Sequence, residues 1–320
     1  MERKARWGIT LPLYGHGLAE QREIVTELAG LGYTDAWSAE LNGIDAFTPL
    51  ALASQWAGDL RLGTAIASIY TRGPAMLAMT AATIAGLAPG RFVLGIGTST
   101  PVVVKQWNDV EFAKPYQRSR DMLRFLRQAL AGEKVTEQYE TFSVDGFRLE
   151  NAPAEPPGLA LAALRPQMVR LGAAESDGVI TNWLAPHGVH QVRAAARPDT
   201  ELIARIFVCP TPDAAVARTI GRRLIAAYLT VPAYAAFHVW LGREELLRPM
   251  LAAWNSGDRK GALAAISDQL VDDLVVHGPA EACRERVAEY QAAGLDTPVI
   301  AIIPAPDTDV TDSVRKLAPA

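Results

Sequence analysis

The run RFVLGIGTST at 91–100 leads an apolar stretch into two glycines and a hydroxyl residue. Bare backbone at Gly95 and Gly97 lets a flat ligand or a phosphate come close, and Thr98 adds a hydroxyl. A dinucleotide turn needs G-x-G-x-x-G opening a helix, with an acid about 20 residues on. Here Thr100 holds the third glycine position, Pro101 and VVVK follow, and no helix is expected to open. Dinucleotide binding is therefore set aside. Ligand contact and plain packing of small residues at a strand end both stay open.

Other groups fall at comparable places. Glu40, in S-A-E at 38–40, can hold a ligand N–H as a fixed carboxylate. It can also move a proton if partial burial raises its pKa. Tyr14 and His16 are further proton donors. Thr10, Asn42, Trp107, Asn182 and Trp183 are candidate substrate contacts, the two tryptophans as walls of an apolar pocket. No H-x-H or H-E-x-x-H spacing occurs, so no metal site is expected. G-x-S-x-G is absent, and none of the six lysines sits at a strand end, which argues against Schiff-base chemistry.

These groups depend on the elements that present them. Strand-like runs at 7–13, 34–40, 60–68, 91–97, 158–164, 177–183, 201–209 and 298–303 alternate with helical ones. The helical runs include 19–32, 48–57, 75–87, 115–130, 213–229, a long stretch at 243–275, and 278–294. Strands each followed by a helix imply parallel pairing with right-handed crossovers. Eight of them favour an α/β fold closed as a (β/α)8 TIM barrel over an open sheet. Residues 1–320 are read as one domain, with insertions near 133–158, two-stranded around D-G, and near 231–257. In a barrel the strand ends that carry Glu40, Ser68 and Gly97 share the catalytic face.

Of the 320 residues 49% are hydrophobic and 21% charged, which is enough for a sizeable core, and the net charge is −4. Neither a nucleic-acid nor a membrane partner is expected from that balance. Two cysteines without metal spacing fit a reducing, cytoplasmic setting. The N-terminal MERKARWGITLPLYG lacks the apolar core of a signal peptide.

Six stretches, in order, carry a resemblance: GYTDAWSAEL, LRLGTAIASIYTRGPAMLA, LAPGRFVLGIGTST, KPYQRSRDMLRFLRQAL, LALAALRPQMVRLGAAESDGVITNW and GPAEACRERVAEYQAAGLDTPVI. Together they resemble the luciferase-like monooxygenase superfamily, in its branch of deazaflavin (coenzyme F420)-dependent oxidoreductases. The resemblance implies a bulge in the third strand with a cis peptide at Ala65–Ile66, pressed against the back of the cofactor's central ring. Ser38, Ala39 and Glu40 would border that ring. Ser68, Gly97 and Thr98 would meet its pyrimidine edge. Ala162, Ala163, Leu164 and Arg165 would form the turn that holds the cofactor phosphate by backbone amides. Relatives often have glycine at the last two of these positions. Arg165 is then expected to compensate through a charge-assisted bond of roughly 1.5–3 kcal/mol. Arg72 is a further candidate for the acidic cofactor tail.

Sugar-phosphate-oxidising relatives place Asp-His after the second strand. Here Glu40-Leu41 stands there, and leucine cannot move a proton. The expected reaction is therefore hydride transfer from the reduced deazaflavin to a C=C, C=N or C=O bond of a small organic substrate. A monooxygenase using FMN and oxygen is the alternative, and a non-catalytic flavin-binding protein a second one. The resemblance also implies a homodimer.

Overall fold

A computed structural model describes residues 5–306 and 308–319. Eight parallel strands pair in turn and close on themselves: β1 (Gly8–Leu11), β2 (Asp35–Ser38), β3 (Arg61–Thr64), β4 (Phe92–Gly97), β5 (Gly158–Ala162), β6 (Gly178–Asn182), β7 (Glu201–Cys209) and β8 (Thr297–Ile302). The ring is completed by β8 on β1, with Gly8 opposite Val299. This is the (β/α)8 barrel that the alternation implied.

Outside the ring lie α1 (Arg22–Glu27), α2 (Thr48–Trp56), α3 (Pro74–Leu87), α4 (Pro115–Leu130), α5 (Pro166–Glu175) and α6 (Pro186–Ala195). Six helices fill the β7–β8 connection: α7 (Ala214–Leu229), α8 (Pro232–Trp240), α9 (Glu244–Asn255), α10 (Arg259–Ala264), α11 (Asp268–Leu274) and α12 (Ala280–Ala292). After β8 comes α13 (Val310–Lys316). The 133–158 insertion is an antiparallel hairpin, Val135–Gln138 with Ser143–Phe147.

Three expectations are corrected. The stretch 243–275 is not one helix. Gly257 takes φ +87°, the Asp258 carboxylate accepts the Gly261 amide at 2.8 Å, and Ser267 caps α11. Each cap starts a new helix where the previous one has ended. Behind them Val275–His277 adds a short strand along the end of β7. Second, a π-helical turn, Val102–Trp107, does open after the GIGTST run. Pro101, at φ −56°, is already set for helix geometry. Third, only the middle of 19–32 is α-helical.

Strand alternation turns Trp37, Val93, Ala160, Ile180, Ile203 and Val299 into the barrel interior, apart from the larger layer between strands and helices. Gly63 is forced by this packing, because a Cβ there would run into the Trp37 ring. The N-terminal end is closed by charge. Fully buried Asp35 accepts from Arg61 and, at 3.0 Å, from Arg6; Arg61 forks onto Glu201 at 2.9 and 2.7 Å. With the floor plugged, the C-terminal mouth is the face left for a ligand.

Candidate active site

The mouth is organised by an interruption of the third strand. Pairing stops at Thr64 and resumes at Ala67–Ser68 against β4, and between them the Ala65–Ile66 peptide is cis. Its neighbours stitch it in place. The Ala65 amide donates to the Ser38 carbonyl, the Glu40 amide to the Ile66 carbonyl at 3.2 Å, and the Ile69 amide to the Gly97 carbonyl at 3.0 Å. The ends of β2, β3 and β4 thus form one hydrogen-bonded unit.

The two glycines of the GIG run have different reasons. A Cβ on Gly95 would strike the Thr64 carbonyl, and the Thr64 hydroxyl donates to the Gly95 carbonyl at 2.7 Å. Gly95 is therefore an internal contact rather than a ligand cradle. At Gly97 a Cβ would lie 2.9 Å from the Ala162 Cβ and 3.0 Å from Ile66 Cγ1. Bare backbone here lets the Ile66 side chain lie across β4 towards β5. Ile66, half-buried, together with Gly97 and Ala162, makes an apolar floor at the mouth.

Glu40 borders that floor as a hydrogen-bonded carboxylate. Its Oε1 accepts from Arg72 Nε at 2.8 Å and also from Arg72 Nη2; its Oε2 accepts the Ser68 amide at 3.3 Å. Arg72, expected as a candidate for the cofactor tail, is instead committed to Glu40 and stacked 4.6 Å over the Phe47 ring. Ala39 is half-buried beside Glu40.

Both serines are diverted from the expected ring contacts. Ser38 is buried, on the outward face of β2, and its hydroxyl donates to the Ala46 carbonyl. It fastens the loop after β2. Ser68 is buried too, and its oxygen accepts the Tyr70 and Thr71 amides at 3.3 and 3.4 Å, closing the turn after the bulge. Thr98, half-buried, makes a 3.3 Å bond to the Ser99 carbonyl.

At the β5–α5 turn the Ala163 amide donates to the Ile180 carbonyl at 2.9 Å, so it is not free to hold a phosphate. Free amides come one turn later, since a first helical turn leaves Gln167 and Met168 of α5 without intrahelical acceptors. Arg165 stands exposed just before them, and Leu164 packs on the core. A helix N-terminus beside an arginine suits an anion.

Across the mouth, Thr10 on β1 and Asn182 at the end of β6 face inward. Asn182 Nδ2 donates to the Tyr234 hydroxyl at 3.1 Å. Burial, with Tyr228 adding to it, pushes the Tyr234 phenol up to about 12. Trp183 does not wall a pocket. It is 1% exposed at φ +55°, stacked on Phe207 at 4.2 Å and covered by Tyr228. Around the rim Tyr14, Asn42 and Trp107 are exposed and His16 is half-buried. Arg205 and Tyr234 were missed by sequence reasoning; a lone arginine inside the apolar ELIARIFVC was the available signal for the first. Among the described residues no three His, Cys, Asp or Glu side chains are grouped as a metal site.

A closed parallel barrel with a cis peptide interrupting its third strand, glycine beneath it and a carboxylate beside it, defines a barrel of the luciferase-like class. The luciferase-like monooxygenase family model matches residues 6–297, and this chain belongs to that family. It is 27% identical to a protein of Mycobacterium tuberculosis named, by inference, a coenzyme F420-dependent oxidoreductase, over 94% of this chain and 96% of that one. It is 25% identical to the 5,10-methylenetetrahydromethanopterin reductase of Archaeoglobus fulgidus, over 87% and 86%. The coenzyme F420-dependent tetrahydromethanopterin reductase of Methanopyrus kandleri shares the fold, with a TM-score of 0.80 at 16% identity over 98% and 97% of the two chains.

Proposed function

We propose that this chain transfers hydride between coenzyme F420 and a small organic substrate, in the direction that reduces a C=C, C=N or C=O bond. The observation that carries the reading is the floor made by Ile66, Gly97 and Ala162 beside a carboxylate already held in place. Such a surface fits a flat, extended ring, which a side chain at residue 97 would displace. The relatives named for coenzyme F420 support the same cofactor. When bound, a deazaflavin supplies a two-electron carrier that reacts poorly with oxygen.

The protein's contribution is placement. Ile66 and Ala65 support one ring face. Glu40, anchored by Arg72, presents a fixed acceptor at the edge. Thr98 adds a hydroxyl there. Arg165 and the α5 N-terminus face the phosphate. Leu41, 53% exposed, offers no base after β2, so abstraction of an alcohol proton has no agent at that position. Tyr14 and His16, on the loop after β1, are the proton donors for a reduced product.

The test is titration with F420 followed by reduced F420 and a panel of enones, imines and ketones. Binding of F420 with loss of its reduced form on one class of double bond is expected. Tight FMN binding with oxygen uptake and no F420 binding would overturn the reading. The working unit is proposed to be a homodimer. Supporting this, α3 carries no charge along its length and exposes Met76, Met79 and Leu87.

A further inference from the structure

The barrel interior holds two arginines with opposite fates. Arg61, at the floor, is met by two carboxylates, Asp35 and Glu201. Arg205, on β7, is met by none. It follows Ile203 by two residues, so it faces the interior, and it pairs in register with Asn182, the last residue of β6. That places it at the mouth. Its Nε is buried without a hydrogen-bond partner, and no carboxylate of the described residues pairs with it. Its guanidinium lies 4.9 Å over the Phe207 ring.

Two more interior polar atoms share this condition: Thr10 Oγ1 and Trp37 Nε1, whose residues are register neighbours on β1 and β2. Thr10 is separated from β7 only by β8, about 10 Å at two strand spacings. The nearby interior residue of β8 is the small Ala301. A guanidinium and an indole can only donate, and arginine cannot shed its charge. Burying the Arg205 Nε and the Trp37 Nε1 without an acceptor is costly, and stacking on Phe207 recovers only part of the cost at Arg205. An acceptor with negative charge would satisfy the Arg205 Nε and offset the charge beside it.

We propose that Arg205, with the Thr10 hydroxyl across β8 from it, receives a carboxylate of the substrate, so that this enzyme acts on an organic acid. A guanidinium's fork matches a planar carboxylate. One cation and one hydroxyl, with no lysine on the interior wall, suit a monoanion better than a phosphate. The site lies across the mouth from the Ala65–Ile66 floor, which leaves the reducible bond between the carboxylate and the cofactor. The inference rests on the mouth being the reaction site proposed above.

Benzoate and its neutral isostere benzamide are the probes, titrated calorimetrically into the intact protein, with F420 affinity measured separately by fluorescence. Wild type is expected to prefer benzoate by about tenfold or more, the size of one charge-assisted hydrogen bond. Arg205→Gln is expected to erase the preference, Arg205→Lys to keep a weaker one, and both to hold F420 within about threefold of wild type. Absence of a preference in wild type, or its survival in Arg205→Gln, overturns the proposal. So does a fall in F420 affinity with the benzoate preference intact, which would assign the charge to the cofactor. Should F420 fail to bind wild type while benzoate remains preferred through Arg205, the anion site stands and the hydride-carrier reading falls.

Discussion

The guanidinium of Arg72 spans Glu40 and the face of Phe47, tying the loop after β3 to the loop after β2. Glu40 in turn holds the Ser68 amide at the exit of the bulge. Both its oxygens are in use, so its fitting role is that of a fixed acceptor. Glu40→Gln should lower F420 affinity by about tenfold, as expected for one hydrogen bond to a charged group. Turnover at saturating F420 should stay within about threefold of wild type. A large loss of turnover at unchanged affinity would instead assign Glu40 to proton transfer.

At Gly97 the prediction concerns space. Valine would place its Cβ 2.9 Å from Ala162 and then add two methyls against Ile66. Overpacking of this kind costs about 1–3 kcal/mol, which a barrel of this size survives. Gly97→Val should remain folded by circular dichroism and lose F420 binding. Normal binding by the folded variant would reduce the glycine to a packing residue.

Much of this geometry could be read from residue order, and some could not. The helix 115–130 was legible because its amphipathic spacing and Pro115 mark its face and its start. The run 201–209 was legible as one continuous buried strand. Glu40 and Arg72 lie 32 residues apart, and nothing local announces that they meet. Trp183 looked available because it follows a strand. Its left-handed backbone turns the ring under Tyr228 instead. The same limit hid Arg205: an inward strand position is periodic, but the end of the barrel it occupies emerges only from register.

Trp183 belongs to the core, and its Nε1 has no hydrogen-bond partner to lose. Trp183→Phe should therefore cost about 1–2 kcal/mol in urea denaturation, and Trp183→Ala about 3–5 kcal/mol. Neither should shift the KM for a substrate more than about threefold. A large KM change in Trp183→Phe at unchanged stability would return this ring to the pocket wall.

The outer face of α3 predicts an assembly. Met76 and Met79 are 55% and 43% exposed on a helix without a charged residue between Pro74 and Leu87. Beside them runs a groove bounded by Leu149–Glu155. Wild type should sediment as a dimer at micromolar concentration, and Met79→Asp as a folded monomer, because a buried unpaired carboxylate opposes association. A wild-type monomer at that concentration would remove this face as an interface.

His238 gives the pH prediction. It is fully buried in α8, with Nδ1 3.5 Å from Arg243 Nη1 and Nε2 unpartnered. Burial, reinforced by Arg243, lowers its pKa to about 3. Arg243 also donates to His187 at 2.8 Å, and burial followed by Arg243 lowers that ring as well. Asp273, 3.9 Å from Arg243 Nε, is the acid facing this group. Once unfolded, each histidine titrates near 6.5. The folded state therefore binds fewer protons below that pH. Stability from the neutral His238 ring is complete above about 6.5 and drains as the pH falls towards 3, and the exposed His187 acts in the same direction. For His238 the slope is about 1.4 kcal/mol per pH unit between those limits. Asp272, held low chiefly by Arg218, acts only in more acidic solution. Denaturation between pH 7 and 4.5 should show this decline. His238→Asn, which keeps an acceptor for Arg243, should flatten it by about one ring's share. An unchanged slope in that variant would show that His238 is not the group whose protonation opposes the fold.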